Sequence, residues 1–148
     1  MGSTAAMTHT ARTSPFHDAW IASVPGELAA ARAAIAARDL PALGAVAERS
    51  ALRMHAAAMA ADPPIIYWNA ATLAAIDCVH TLRARGMAVF FTIDAGPHVK
   101  ALCRTADADA KVTASTRPAA SASRSAPEPA PSLDVRYTGT TSTRQPRS

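Results

Sequence analysis

The sequence predicts an α+β fold, with helices packed on one face of a small antiparallel sheet, and three observations predict it. Apolar residues recur at helical spacing through four segments ahead of Gly86. The period then changes to that of a strand pair. AVFFTI (88–93) is a continuous apolar run rich in aromatic and β-branched residues, and HVKALC (98–103) alternates behind a turn. Past Ala106 the order gives way to Ser, Thr, Ala, Pro and Arg. Helices segregated to one side of an antiparallel sheet fit that succession. A single hairpin is too small a sheet to stand by itself, so the domain reads as incomplete.

Each element has its own signals. Residues 2–13 are small and polar and read as a lead-in, after which Ser14-Pro15 caps a short helix carrying Phe16, Trp20 and Ile21. A second helix is expected over 26–38, with Leu28, Ala31 and Ile35 on its inner face. Asp39 is the N-cap of a third, and Pro41 sits in its first turn, where a missing N–H does no harm. Leu43, Val46, Ala47, Met54 and Ala58 form its buried stripe, and Asp62-Pro63-Pro64 ends it. Ile65 to Trp68 make a compact apolar link. Asn69 then caps a fourth helix with Leu73, Ile76, Val79 and Leu82 inward. Gly86 closes this helix in a left-handed position, just after Arg83 and Arg85, whose charges suit a helix C-terminus.

The ordered unit is therefore 1–105 and the tail 106–148. In the tail, Val112, Leu133, Val135 and Tyr137 are the only larger apolar side chains, too few to offset the entropy of ordering it, so disorder is expected. LDVRY (133–137) has strand character but nothing to pair with.

Composition narrows the function classes. The 148 residues suit one domain; 49% are apolar, but alanine dominates that share and aromatics are only 5%, so the isolated chain should be marginally stable. The net charge of +4 is diffuse, and half of it lies past Ala106. Without basic runs interleaved with aromatics it argues against nucleic acid as a partner. Cys78 and Cys103 have neither disulfide nor zinc spacing, so no metal site is expected and both read as small apolar packing residues. Charges interrupt every apolar run short of the roughly 20 residues a membrane span needs. No secretory signal is visible, and a reducing cytoplasm fits.

Asp94 carries the most chemical information. It ends the apolar strand and opens a turn that Gly96 lets swing close to a ligand or a neighbouring backbone. A carboxylate fixed there can orient or deprotonate a hydroxyl. An aspartate that only bonds its own turn backbone is the commoner case, and spacing alone leaves both open.

FFTIDAGPHVK (90–100) resembles the FTxDAGPN segment of diphosphomevalonate decarboxylases, which belong to the superfamily of galactokinase, homoserine kinase and mevalonate kinase. HTARTSPF (9–16) and MHAAAMAADPPIIYW (54–68) match that family in order and spacing, and the resemblance runs from Gly2 to about Arg104. It implies the C-terminal part of a carboxy-lyase that uses ATP and Mg2+ to convert mevalonate 5-diphosphate to isopentenyl diphosphate, for isoprenoid synthesis. It also implies that Asp94 is the catalytic carboxylate at the substrate 3-hydroxyl. GSTAAM (2–7) is similar to the family's SSTxGM segment, which makes Ser3, Thr4 and Met7 substrate-binding residues. Ala6 replaces the usual Gly there, and His98 replaces the Asn of DAGPN, losing one end of an amide's fixed donor–acceptor pair. His55 matches a family histidine and is expected only to pack or make a local bond.

The family's Ser- and Gly-rich phosphate loop has no counterpart: the six glycines are unclustered and no GxxxxGK is present. Turnover by the chain alone is therefore not expected. Loss of periodicity near Ala106 suggests a frameshifted or aberrant end. Two other readings stay open, a non-catalytic remnant or association module that self-associates through helix faces left bare, as in a homodimer, and a related small-molecule kinase.

Overall fold

A computed structural model describes residues 2–108 of the chain. Four long helices, α1 (Ser3–Thr13), α2 (His17–Ala36), α3 (Leu40–Met59) and α4 (Ala70–Ala84), precede the strands β1 (Val89–Ile93) and β2 (Val99–Cys103), and a single turn of helix, α5 (Thr105–Ala108), follows. The strands pair antiparallel, Phe91 opposite Ala101 and Ile93 opposite Val99. The predicted α+β layout of helices on a two-stranded sheet is what the chain adopts. α5 carries helical structure past Ala106; the rest of the expected tail, LDVRY included, lies outside the described residues.

α3 is the spine, packing against α1, α2 and β1, while α4 packs on both strands. Val79 of α4 meets Val89, Phe91 and Ile93 in the buried core, bordered by Trp68, Ile76, Val99 and Ala101. Phe90 points the opposite way and is 6% exposed. Its partner is Gly44 of α3, where an added Cβ would lie 2.6 Å from the Cβ of Phe90. Gly44 is thus what allows α3 to lie against β1.

The outward edge of β1, away from β2, is occupied by side chains. Glu48 of α3 accepts the Phe91 N–H at 3.1 Å, Arg83 of α4 donates from Nε to the Val89 carbonyl at 3.1 Å, and the two side chains are themselves ion-paired.

Three readings change at the amino-terminal side. Residues 2–13 are not a lead-in but helix α1. Three of its four threonines are satisfied within the helix, Thr8, Thr10 and Thr13 donating to the carbonyls of Thr4, Ala6 and His9 at 2.9–3.0 Å. α1 also grips the loop after α3: His9 Nε2 lies 2.9 Å from the Pro63 carbonyl, and the Asp62 N–H donates to Thr13 Oγ1 at 3.1 Å.

The two helices expected over 15–38 are one, α2, running through Pro25. Packing against α3 outweighs the local break that Pro25 favours. The buried face differs as well: Leu28 and Ile35 are 49% and 61% exposed, while Glu27 and Ala34 are buried. Glu27 turns inward because Arg53 of α3 donates to it at 2.7 Å, with Arg49 at 3.6 Å. Helix α2 stops at Ala36, and Arg38 takes the left-handed conformation, φ 54°, that releases the chain toward α3.

The later caps fall where expected. Asp39 accepts from the Ala42 N–H at 3.0 Å, Asn69 and Thr72 form a reciprocal capping box, and Gly86 has φ 90°. Leu73 of α4 is 55% exposed rather than inward, its place taken by Thr72 and Ala75. On α3 the fully buried positions are Gly44, Val46, Ala51, His55, Ala57 and Ala58, whereas Leu43, Ala47 and Met54 are half-buried.

Two measurements follow from this core. Gly44→Ala should destabilise the chain by about 1–2 kcal/mol in urea denaturation despite alanine's better helix propensity, because the clash is with a Cβ that cannot rotate away. His55, 1% exposed, has its pKa lowered from 6.5, first by desolvation, with backbone contacts from Asp94 and Ile93 opposing. As pH falls below 6.5 the unfolded chain binds a proton that the native state resists, so stability should drop on acidification toward the folded value. That drop should be shallower in His55→Gln, read as the change of unfolding free energy with pH.

Candidate functional site

Asp94 leaves β1 at its carboxyl end, and the turn it opens is anchored from α4. Thr72, 2% exposed, donates from Oγ1 to the Pro97 carbonyl at 2.8 Å. The residue that caps α4 therefore also fixes the far end of the Asp94–Pro97 turn. The Asp94 carboxylate is 75% exposed and ion-paired with Lys100 of β2.

A cleft of 540 Å³ runs beside this turn. Met7 of α1, Trp20, Val24 and Leu28 of α2, and Leu43 and Met54 of α3 make its apolar walls. Thr92, Ile93, Asp94 and Ala95 close one side, and Glu27 lies in the lining with its Oε2 buried and unpartnered. An apolar cleft with a few polar groups converging on it suits a small ligand bearing a hydroxyl. The Lys100 ammonium engages one oxygen of Asp94, which leaves the carboxylate further acceptor capacity toward the cleft.

Of the four residues expected at the site, the fold brings Met7 and Asp94 to this one cleft. Ser3 and Thr4 are exposed in the first turn of α1 and do not line it. His98 is exposed just before β2, outside the lining. Sequence reasoning missed Lys100, Thr72 and Glu27. Lys100 was accessible in principle, because strand alternation across the hairpin sets it opposite Thr92, diagonal to Asp94. Thr72 and Glu27 depend on contacts 25 and 26 residues away, which no local pattern announces.

A second, larger hollow of 840 Å³ lies along α3 and the outward edge of β1, away from Asp94. It is lined by Leu40, Gly44, Leu52 and Phe90, with Arg49, Arg53 and Arg83 at its rim, all three already paired with Glu27 or Glu48. Among the described residues no cluster of three or more His, Cys, Asp or Glu could hold a metal ion, and no helix is long and apolar enough to cross a membrane.

Known proteins share this fold. The mevalonate diphosphate decarboxylase from Enterococcus faecalis superposes with a TM-score of 0.72 at 38% identity, over 74% of this chain and 34% of that one. The Staphylococcus aureus mevalonate diphosphate decarboxylase gives 0.70 at 36% identity, over 72% of this chain and 32% of that one. A diphosphomevalonate decarboxylase of Aspergillus fumigatus is 35% identical over 117 residues, which is 77% of this chain and 28% of that protein. The chain thus spans about a third or less of the proteins it resembles. The family model for the mevalonate 5-diphosphate decarboxylase C-terminal domain matches residues 1–129, running on past Arg104, and the chain belongs to that family.

Proposed function

We propose that this chain forms the part of a mevalonate diphosphate decarboxylase that presents a catalytic carboxylate, Asp94, to the substrate's tertiary hydroxyl. The observation that supports it best is the shared cleft, whose lining includes both Asp94 and Met7 beside apolar walls. A tertiary alcohol is a poor nucleophile, and a carboxylate within hydrogen-bond reach aligns it and accepts its proton as phosphoryl transfer proceeds. Phosphate and carbon dioxide then leave, yielding isopentenyl diphosphate. A turn pinned by Thr72 and a side chain tethered by Lys100 give the carboxylate a fixed place from which to act. Ser3 and Thr4 belong to this reading as substrate contacts of the first helical turn, and localisation in the cytoplasm goes with it.

ATP and Mg2+ supply the phosphoryl group and the charge neutralisation in this reaction. A solved structure similar to this chain, of a protein named MDDEF, holds MVAPP, AMPPCP and magnesium, so the cosubstrate pair is a property of that relative. The described residues of this chain do not fit either group: they offer no clustered glycines and no metal cluster. In this reading none of the described residues holds them. The decarboxylase domain of this reading occupies residues 1–105.

A phosphate-release assay with ATP, Mg2+ and mevalonate diphosphate should show no turnover by the purified chain alone. Titrating mevalonate diphosphate into the labelled chain should move the Met7 methyl and the Asp94–Gly96 amides, and Asp94→Asn should weaken that response. Turnover by the isolated chain, or amide changes that bypass Met7 and Asp94, would defeat the assignment.

A second reading has its own support. Ile21, Val24, Leu28 and Ile35 are 47%, 39%, 49% and 61% exposed along one stripe of α2, at three- and four-residue spacing broken only by Ala31. Such a bare stripe suits association, with a second copy or with a protein that completes the fold. Light scattering should show a species heavier than the monomer, and Leu28→Lys should reduce it; a concentration-independent monomer removes this reading.

A further inference from the structure

Helix α1 rests on the other helices through a narrow contact. The residues it buries are Ala6 and Thr10, 1% and 0% exposed, and both are small. Small side chains bury little apolar area and interlock poorly, so such a contact resists rolling of the helix weakly. Yet Met7, next to Ala6, is the residue of α1 that walls the Asp94 cleft. Its place in that wall depends on how α1 is rolled about its axis.

Hydrogen bonds supply the missing restraint. His9 and Thr13 lie about one turn apart on α1, and both reach the segment that follows α3. His9 Nε2 is 2.9 Å from the Pro63 carbonyl. A carbonyl only accepts, so this nitrogen carries the proton and donates it. Thr13 Oγ1 gives its own hydrogen to the His9 carbonyl at 2.9 Å, and a lone pair takes the Asp62 N–H at 3.1 Å. The segment they grip is itself folded back on α3. There the Ile65 N–H donates to the Ala58 carbonyl at 3.0 Å, and Ala58 and Ala61 are buried. Among the described residues, these are the side-chain hydrogen bonds that α1 makes outside itself.

Two residues advance a helix by about 200°, so Met7 and His9 project to nearly opposite sides, with Ala6 and Thr10 between them. A roll about the line of Ala6 and Thr10 would move the two in opposite senses. A bond that holds His9 down therefore holds Met7 in place.

We propose that His9 is a positioning residue: with Thr13 it clamps α1 to Asp62 and Pro63, and so sets the roll that keeps Met7 in the cleft wall. Its functional meaning rests on the reading of that cleft as the substrate site, but the clamp itself can be measured without ligand.

The full chain, labelled at backbone nitrogens and methionine methyls, provides the test. His9→Ala should shift the Met7 methyl resonance and speed exchange of the α1 amides by roughly two- to tenfold, as for the loss of one net hydrogen bond. Amides of α4 and the hairpin should keep their wild-type rates. His9→Gln, whose side-chain nitrogen stands as many bonds from Cα as Nε2 does, should return both readouts toward wild type. Thr13→Val, which keeps the shape and removes the acceptor for Asp62, should shift Met7 in the same direction as His9→Ala. In titrations with mevalonate diphosphate, the Met7 response should need roughly two- to tenfold more ligand in His9→Ala, and His9→Gln should restore it. An unmoved Met7 methyl, equal displacement in the Ala and Gln variants, or equally faster exchange throughout the chain overturns the proposal. If His9→Ala does not fold, Thr13→Val decides by the same criteria. Absence of any wild-type response to mevalonate diphosphate would defeat the functional reading of the cleft and leave the clamp standing. A wild-type response with Met7 unmoved by either variant would do the opposite.

Discussion

The close approach of α3 to β1 is the constraint on which the rest of this small fold depends. It exists because Gly44 carries no side chain where Phe90 projects. From that contact α3 reaches α2 through the Glu27 ion pairs, α1 through its own flank, and the strand edge through Glu48. A chain so rich in alanine has few large anchors, and it compensates by bringing backbones close together. The few larger rings, Phe90, Phe91, Tyr67 and Trp68, gather where α3, α4 and the hairpin meet.

The same economy shapes the site. Asp94 stands on a turn whose far end is held from another element, by Thr72 of α4 at Pro97. Thr72 itself does not line the cleft. The Asp94 carboxylate is mostly exposed, while the turn that carries it is anchored at Pro97 by a buried hydroxyl. An exposed side chain on a turn with buried support is held more precisely than one on a free loop.

Much of this was legible in the sequence where the signal was local. Asp39, Asn69 and Gly86 mark helix boundaries through their own backbone chemistry, and β-branched and aromatic residues mark the hairpin. Asp94 and Met7, both singled out by resemblance, line one cleft. What was not legible depended on partners far along the chain. α1 looked like a lead-in because threonine is a poor helix former in isolation, yet here the hydroxyls of Thr8, Thr10 and Thr13 each find a carbonyl one turn back. α2 looked broken because proline and glycine at 25–26 are local stop signals, and only its packing on α3 overrules them. Leu28 and Ile35 looked buried because apolar periodicity says nothing about which face meets the neighbour when a buried glutamate has been drawn inward by two arginines.

The Glu48–Arg83 pair has a consequence for how the molecule behaves in company. A two-stranded ribbon exposes a row of backbone groups along its outer side, ready to template another chain. Here a carboxylate answers an amide and a guanidinium answers a carbonyl, so a salt bridge imitates the hydrogen-bonding face of a neighbouring strand. That edge of β1 is thereby covered against the addition of another strand, and the cover is ionic: losing either Glu48 or Arg83 would bare the backbone groups the pair answers.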